Sequence, residues 1–317
     1  MTTTTEAAVT AKPKPPQRAG DRWFSGTALA AGSMILVTLA AVAIFLIIQS
    51  IPGISATNET ASILRSDFWD YVWPLAFGTV WAAILALLMA VPLSVAVALF
   101  ISHYAPRRLA QTLGYIVDLL AAVPSVVFGL WGILVLAPAV LPVYMWLNTN
   151  MGWFPLFSGT VSGTGRTIFT AAIVLAVMVV PIITAICREI FLQTPVLHEE
   201  AALALGATRW EMIRMAVFPY GRSGIVSASM LGLGRALGET MAVAMVLSVA
   251  NVISIQLLTS ENPGTIPANI ALTFPEAYGT NINVLIATGL ILFIVTFAVN
   301  AVARWVVDRR KEFSGAN

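Results

Sequence analysis

Six apolar runs, each of about 20 residues or more, constrain this chain more than any other feature. An α-helix rises 1.5 Å per residue, so about 20 apolar residues cross the ~30 Å hydrocarbon core of a bilayer. Only 10% of the residues are charged and 58% are apolar, which is too little charge to cover a water-soluble domain. The sequence therefore predicts an all-α integral membrane protein with six transmembrane helices, at residues 27–50, 72–101, 113–137, 167–187, 223–250 and 283–305.

The distribution of Lys and Arg predicts how these helices are oriented, because cytosolic segments of membrane proteins carry the excess of cations. With the N-terminus inside, cytosolic segments hold fourteen of the 17 cations, and the outer segments hold only Arg65 and Arg166. Both termini are therefore predicted to be cytosolic, as a disordered tail at residues 1–26 and a C-terminal tail at residues 306–317.

The sequence contains no recognisable catalytic or metal site. Cys187 is the single cysteine, and His103 and His198 lie far apart in polar segments, where we expect solvated surface histidines. The chain lacks the G-x-x-x-x-G-K-[ST] motif that binds nucleotide phosphates, and a net charge of +2 does not favour nucleic acid. We therefore expect no enzymatic activity, no cofactor and no metal.

The predicted outer segments, residues 51–71, 138–166 and 251–282, are longer than a simple helix bundle requires. One interpretation is that they only connect the helices and anchor them at the interface through Trp and Tyr. The other is that they form a docking surface for an extracytoplasmic partner.

Residues 188–222 form an unusually long cytosolic connection between two apolar runs. Glu199 and Glu200 stand near the start of a predicted short helix, where the helix dipole favours anions, and Gly206 is suited to ending it. The segment is either an amphipathic linker that lies on lipid headgroups or a helix that another protein grips. The two acidic residues favour the second interpretation, because an anionic leaflet would repel them.

Arg235 and Glu239 are ionisable residues inside the fifth predicted span. Arg235 follows Ser223 by twelve residues, which places it about 18 Å along a helix and near the middle of a bilayer. A charge at that depth costs roughly 2.5–3.5 kcal/mol. Because a spacing of four puts both residues on one helix face, they are predicted to pair. They form either an internal ion pair that only neutralises itself or an anion contact in a translocation path.

The cytosolic connection resembles the EAA loop of ABC-importer permeases, whose consensus is Glu-Ala-Ala-x3-Gly-x9-Ile-x-Leu-Pro. Glu200-Ala201-Ala202, Gly206 and Pro219 have this spacing, whereas Ala216 and Phe218 replace the consensus Ile and Leu. The resemblance implies that a coupling helix in this loop seats in a cleft of an ATPase subunit. It also implies the ATPase-coupling residues, which are Glu199, Glu200, Ala201, Ala202, Gly206, Ala207 and Thr208.

Residues 231–242 (Leu-Gly-Leu-Gly-Arg-Ala-Leu-Gly-Glu-Thr-Met-Ala) and 123–132 (Val-Pro-Ser-Val-Val-Phe-Gly-Leu-Trp-Gly) are similar to signatures of the permeases of the Pst phosphate importer. The N-terminal tail and long outer loops resemble its PstC-type subunits more than its PstA-type subunits. The resemblance implies a type I ABC importer permease fold, with a first helix and outer loop at 27–71 and the permease domain at 72–305. It also implies substrate-translocation residues, which are Ser125, Arg235, Glu239 and Thr240.

Such a permease is expected to import inorganic phosphate across the cytoplasmic membrane of a bacterium. The resemblance implies two ATP-binding subunits, a second homologous permease and an extracytoplasmic phosphate-binding protein as partners, besides membrane lipid. Two alternatives stay open: a permease for another oxyanion, sulfate or molybdate, and a secondary anion transporter, which could also carry charges at mid-bilayer. A membrane scaffold without transport would not need those charges.

Overall fold

The computed structural model describes residues 19–311, and this part of the chain is helical without a β-sheet. Of the predicted tails at 1–26 and 306–317, residues 1–18 and 312–317 lie outside the described residues. The helix from residue 19 includes residues 19–26, so the predicted disordered tail is too long at that end. The α-helices are α1 (Ala19–Ile54), α2 (Phe68–Leu99), α3 (Arg107–Ala121), α4 (Ser125–Trp131), α5 (Ala137–Met151), α6 (Ile168–Leu192), α7 (Val196–Ala204), α8 (Arg209–Met212), α9 (Phe218–Gly238), α10 (Met241–Val246), α11 (Ile266–Thr273) and α12 (Thr280–Lys311).

In residues 19–311, three π-helical segments extend or join these helices without a turn. Phe100–Tyr104 extends α2, Gly132–Leu136 joins α4 to α5, and Ile213–Val217 joins α8 to α9. Among the described residues, five continuous helical stretches are long and apolar enough to cross a membrane: Trp23–Ile54, Phe68–Tyr104, Ser125–Met151, Ile168–Leu192 and Thr280–Trp305. Four of them contain the predicted spans 27–50, 72–101, 167–187 and 283–305, apart from Thr167, which caps α6.

The third predicted span, residues 113–137, has the wrong limits. The chain forms the separate helix α3 up to Ala121 and breaks before Pro124, whose ring disfavours a helical conformation in the preceding residue. A new continuous helical stretch then runs from Ser125 through Pro142 to Met151. The apolar run in the sequence therefore covers the end of one helix and the beginning of the next.

The fifth predicted span, residues 223–250, is interrupted. Helix α9 ends at Gly238, residues 239–240 are not helical, and α10 continues only to Val246. Its 21 residues make α9 about 32 Å long, which matches the ~30 Å core of a bilayer. Helix α9 is not one of the five stretches named above, because its serines, glycines and arginines lower its mean hydropathy.

Helix α6 lies at the centre of the compact unit formed by residues from 49 onwards. In its most apolar stretch, 67% of the residues are buried, compared with 22% for α12. Helices α2 and α9 pack against it, and small side chains of α2 permit the close approach. These buried alanines of α2 are Ala82, Ala83, Ala86 and Ala90.

The segment between α10 and α11 packs into the protein rather than forming a free loop. Asn262 is fully buried there, and its side-chain oxygen accepts a hydrogen bond from the Ile168 backbone N–H at 2.9 Å. Its amide nitrogen donates to the backbone oxygens of Ser248 at 3.0 Å and Arg166 at 3.3 Å. One side chain thus ties this segment to the start of α6.

Candidate functional site

Helix α7 ends at the glycine that the sequence pattern singles out. Gly206 has φ +85°, a conformation that residues with a Cβ rarely adopt. Its N–H donates to the Leu203 carbonyl at 3.0 Å, and the Ala207 N–H donates to the Ala202 carbonyl at 3.2 Å. These two bonds form a Schellman motif, which satisfies carbonyls that the helix end leaves free. Gly206 therefore stops α7 and turns the chain towards α8.

Thr208 begins α8 with a capping box. Its hydroxyl accepts a hydrogen bond from the Glu211 N–H at 3.3 Å, and its own N–H donates to the Glu211 carboxylate at 2.7 Å. These bonds, from the Thr208 backbone first and its hydroxyl second, lower the pKa of Glu211. Together with the Schellman motif, the capping box holds the turn between α7 and α8 in one conformation.

Helix α7 buries little of its surface in this chain. Ala202 faces inward with 8% exposure and packs with the core. The opposite side of α7 and the turn after it present four exposed apolar side chains next to the exposed Glu200 and Ala201. Exposed apolar surface of this kind is typical of contact sites for another protein or for a membrane. The four side chains are Val196, Leu197, Leu203 and Leu205.

The two glutamates of α7 point to different surroundings. Glu200 is exposed, whereas the Glu199 side chain is 21% exposed and its Oε1 lies 3.4 Å from His103 Nε2. His103 is only 9% exposed and its Nδ1 lies 2.7 Å from the Ser102 hydroxyl. The expectation of a solvated surface histidine is therefore wrong for His103, because its imidazole is largely covered and lies against Glu199 of α7.

Arg235 and Glu239 do not pair in the described part of the chain. The predicted pair requires one continuous helix, but the backbone of Glu239 is extended, with ψ 129°, and α9 ends before it. Glu239 is buried at 8% exposure and its carboxylate accepts a hydrogen bond from the Ala242 N–H at 3.1 Å. It therefore caps α10, while the Arg235 side chain remains exposed.

The other two predicted translocation residues lie beside the same break. Helices α4 and α10 pack closely, since a Cβ on Gly129 would lie 2.9 Å from Ala242 Cα and one on Gly132 would lie 2.7 Å from Val246 Cγ2. The later glycine, Gly132, meets the later residue, Val246, so the residue numbers rise in the same direction along both helices and the helices are parallel. Ser125, which begins α4, therefore lies at the same end of this pair as Thr240.

These contacts place two helix interruptions, before Ser125 and at residues 239–240, close together. Ser125 and Thr240 are both partly exposed, and the Thr240 hydroxyl donates to the Gly238 carbonyl at 3.2 Å. Non-helical backbone at membrane depth is tolerated where it is buried in protein or lines a water-filled cavity. Ser125 and Thr240 place partly exposed polar groups beside the two interruptions.

Two features of the site were missed from the sequence. The Thr208-x-x-Glu211 spacing is a capping-box signature and could have been recognised from the sequence. The contact between His103 and Glu199 spans 96 residues, and no local pattern indicates it.

Comparisons with known proteins agree on one family. Residues 90–312 match the family described as "Binding-protein-dependent transport system inner membrane component". The chain is 47% identical over 323 aligned residues to "Phosphate transport system permease protein PstC 2" of Mycobacterium tuberculosis, which covers 95% of each chain. It is 40% identical over 309 residues to "Phosphate transport system permease protein PstC" of Mesorhizobium japonicum, covering 93% of this chain and 92% of that protein.

The fold is also similar to that of a solved transporter. The crystal structure of a bacterial ABC transporter involved in the import of the acidic polysaccharide alginate superposes with a TM-score of 0.60. The match covers 92% of this chain and 96% of that one at 17% sequence identity. The likeness therefore concerns the arrangement of the helices.

Proposed function

Because this chain belongs to the family of binding-protein-dependent transport system inner membrane components, we propose that it is the permease subunit through which an ATP-driven importer carries inorganic phosphate into the cell. It is a membrane permease and not an enzyme, and ATP is hydrolysed on a separate subunit. The assignment of phosphate as the substrate rests on the 47% identity, over 95% of both chains, to a protein named as a phosphate transport system permease.

The geometry of α7 supports coupling to the ATPase. The helix is short, held by a Schellman motif and a capping box, and exposes Glu200 and Ala201 beside apolar side chains. Such a surface can enter a cleft of an ATP-binding subunit, and closure of two such subunits would push on it. The predicted coupling residues are then divided: Glu200 and Ala201 face the partner, whereas Ala202 faces the core.

The paired helix interruptions support a phosphate path. Arg235 is free of Glu239 in this structure and exposed, so its guanidinium can bind an anion through two parallel charge-assisted hydrogen bonds. Ser125 and Thr240 can replace further water molecules of the anion with hydroxyl groups. Glu239 serves mainly to hold the interruption open by capping α10, instead of neutralising Arg235.

The complete importer contains two ATP-binding subunits, a second homologous permease and an extracytoplasmic phosphate-binding protein. The protein lies in the bacterial cytoplasmic membrane with both termini and the loop at residues 188–222 in the cytosol, which is the orientation that the Lys and Arg distribution favours. We divide the chain into an N-terminal segment, a first helix that begins at Ala19 and is followed by an outer loop up to residue 71, the permease domain at 72–305 and the C-terminal tail at 306–317.

Uptake of labelled phosphate by reconstituted complexes tests this function. Arg235→Gln should abolish uptake while the complex still assembles, and the matched control Arg222→Gln, at the start of the same helix, should keep it. An excess of sulfate should not compete. Competition by sulfate would favour a different oxyanion as substrate, and parental uptake in Arg235→Gln would show that this arginine does not contact the anion.

A further inference from the structure

His103 and Glu199 form a contact between two elements that the proposed function requires to move together. His103 lies in the π-helical segment at the end of α2, and Glu199 lies in the first turn of α7. In the described part of the chain, the approach of His103 Nε2 to Glu199 Oε1 at 3.4 Å is the only hydrogen bond or ion pair between α7 and the stretch that contains α2.

The surroundings of the imidazole hold it in position. Its Nδ1 lies 2.7 Å from the Ser102 hydroxyl, and when that hydroxyl donates to Nδ1 the ring proton resides on Nε2, which faces Glu199. The side chain is 9% exposed, so its ring has little freedom to turn away. The neighbouring Glu200 is exposed and makes no contact of this kind.

Helix α7 has a second attachment to the spanning helices. It packs against the π-helical segment Ile213–Val217, which continues directly into α9, and Ile213 and Val217 are fully buried. Without His103, a displacement of α7 would therefore reach α9 by packing and by chain continuity, and α6 through residues 193–195, while α2 would receive it only through its packing on α6. Helices α2 and α6 pack together more extensively than any other pair of helices in the described chain.

We propose that His103 is a positioning residue that links the coupling helix α7 to α2 through Glu199. The link makes a push on α7 move α2 and α9 together, because closely packed helices transmit displacement instead of absorbing it. Glu199 then acts inside the permease, and Glu200 is the glutamate that meets the ATPase. This inference rests on the proposed function, in which α7 receives the force of ATP hydrolysis.

The test measures phosphate transported per ATP hydrolysed by complexes reconstituted in liposomes. His103→Phe keeps a ring but removes the donor, and this ratio should fall about fivefold or more, with the ATPase subunits still bound. His103→Gln offers an amide donor to Glu199 and should restore most of the ratio. Tyr104→Leu removes an exposed ring from the same π-helical segment and should leave the ratio unchanged.

Glu199→Ala tests the link from its other side. It should lower the ratio as much as His103→Phe, and the double variant should lower it no further, because both changes break one contact. If His103→Phe does not reach the membrane, the result of Glu199→Ala decides the question. A parental ratio in either single variant, or additive losses in the double variant, would overturn the inference. Failure of the proposed function would instead appear as no ATP-dependent phosphate uptake by the parental complex.

Discussion

Gly206→Val should separate the ATPase subunits from a permease that is otherwise correctly inserted. A Cβ at this position would meet no atom within 4 Å, so the chain has room for the new side chain. The cost arises from the backbone, because Gly206 has φ +85° and a residue with a Cβ in the left-handed region loses roughly 1–2 kcal/mol. Branching at the Cβ of valine adds further restriction.

This cost is large enough to change binding of the ATPase measurably. A change of one or two kcal/mol alters a conformational equilibrium by a factor of about 5–30. If the turn between α7 and α8 must hold its present conformation to bind the ATPase, the apparent dissociation constant should rise by up to the same factor, because it varies inversely with the fraction of molecules in that conformation. Binding of purified ATPase subunits to the permease in lipid nanodiscs measures it directly, and phosphate uptake should fall in parallel.

Gly206→Asn is the matched variant, because asparagine enters the left-handed region more easily than other residues with a Cβ. It should bind the ATPase almost as well as the parental protein. Parental affinity in Gly206→Val would refute the reasoning. Equal weakening in both variants would show that the cleft of the ATPase excludes a side chain at this position, so the requirement would be for size and not for φ.

Three other predictions concern local stability. The hydrogen bonds from Thr208 lower the pKa of Glu211, so their stabilisation is present above the unfolded-state pKa and is lost as the pH falls through the lower folded-state pKa. Hydrogen-exchange protection of the α8 amides, corrected for intrinsic rates, should fall over that pH range, and Glu211→Gln should remove the dependence. Glu239→Ala removes the acceptor that caps α10 and should destabilise the protein by about 0.5–2 kcal/mol, measured as a lower unfolding temperature in detergent. Gly165→Ala should also lower that temperature, by at least the roughly 1–2 kcal/mol of a left-handed alanine, because Gly165 has φ +69° and lies against the backbone of another helix. The control Gly163→Ala adds a Cβ in open space and should have little effect.

Three results would contradict these predictions. Protection of α8 that is independent of pH in the parental protein would show that the capping box does not depend on the Glu211 charge. An unchanged unfolding temperature in Glu239→Ala would mean that water or another group satisfies the free N–H of α10. Equal effects of Gly165→Ala and Gly163→Ala would remove the argument from backbone conformation.

The features that depend on short stretches of chain could be predicted from the sequence. The length of apolar runs located the helices α1, α2, α6 and α12, because a bilayer sets a minimum length that few other segments reach. The spacing from Glu200 to Gly206 predicted a short helix with a glycine stop, and the positive φ of that glycine confirms the stop. Both properties follow from chemistry within one or two helical turns.

The break in the fifth apolar run and the contacts between charged groups depend on the folded arrangement of the helices. The proline at 124 is a local signal for the break before α4, whereas no local signal marks the interruption after Gly238, where the free N–H of Ala242 takes Glu239 as its cap. His103 meets Glu199 for the same reason: the folding of distant helices brings the two together. Periodicity and composition describe each helix alone, whereas the satisfaction of buried polar groups depends on which neighbours the fold supplies.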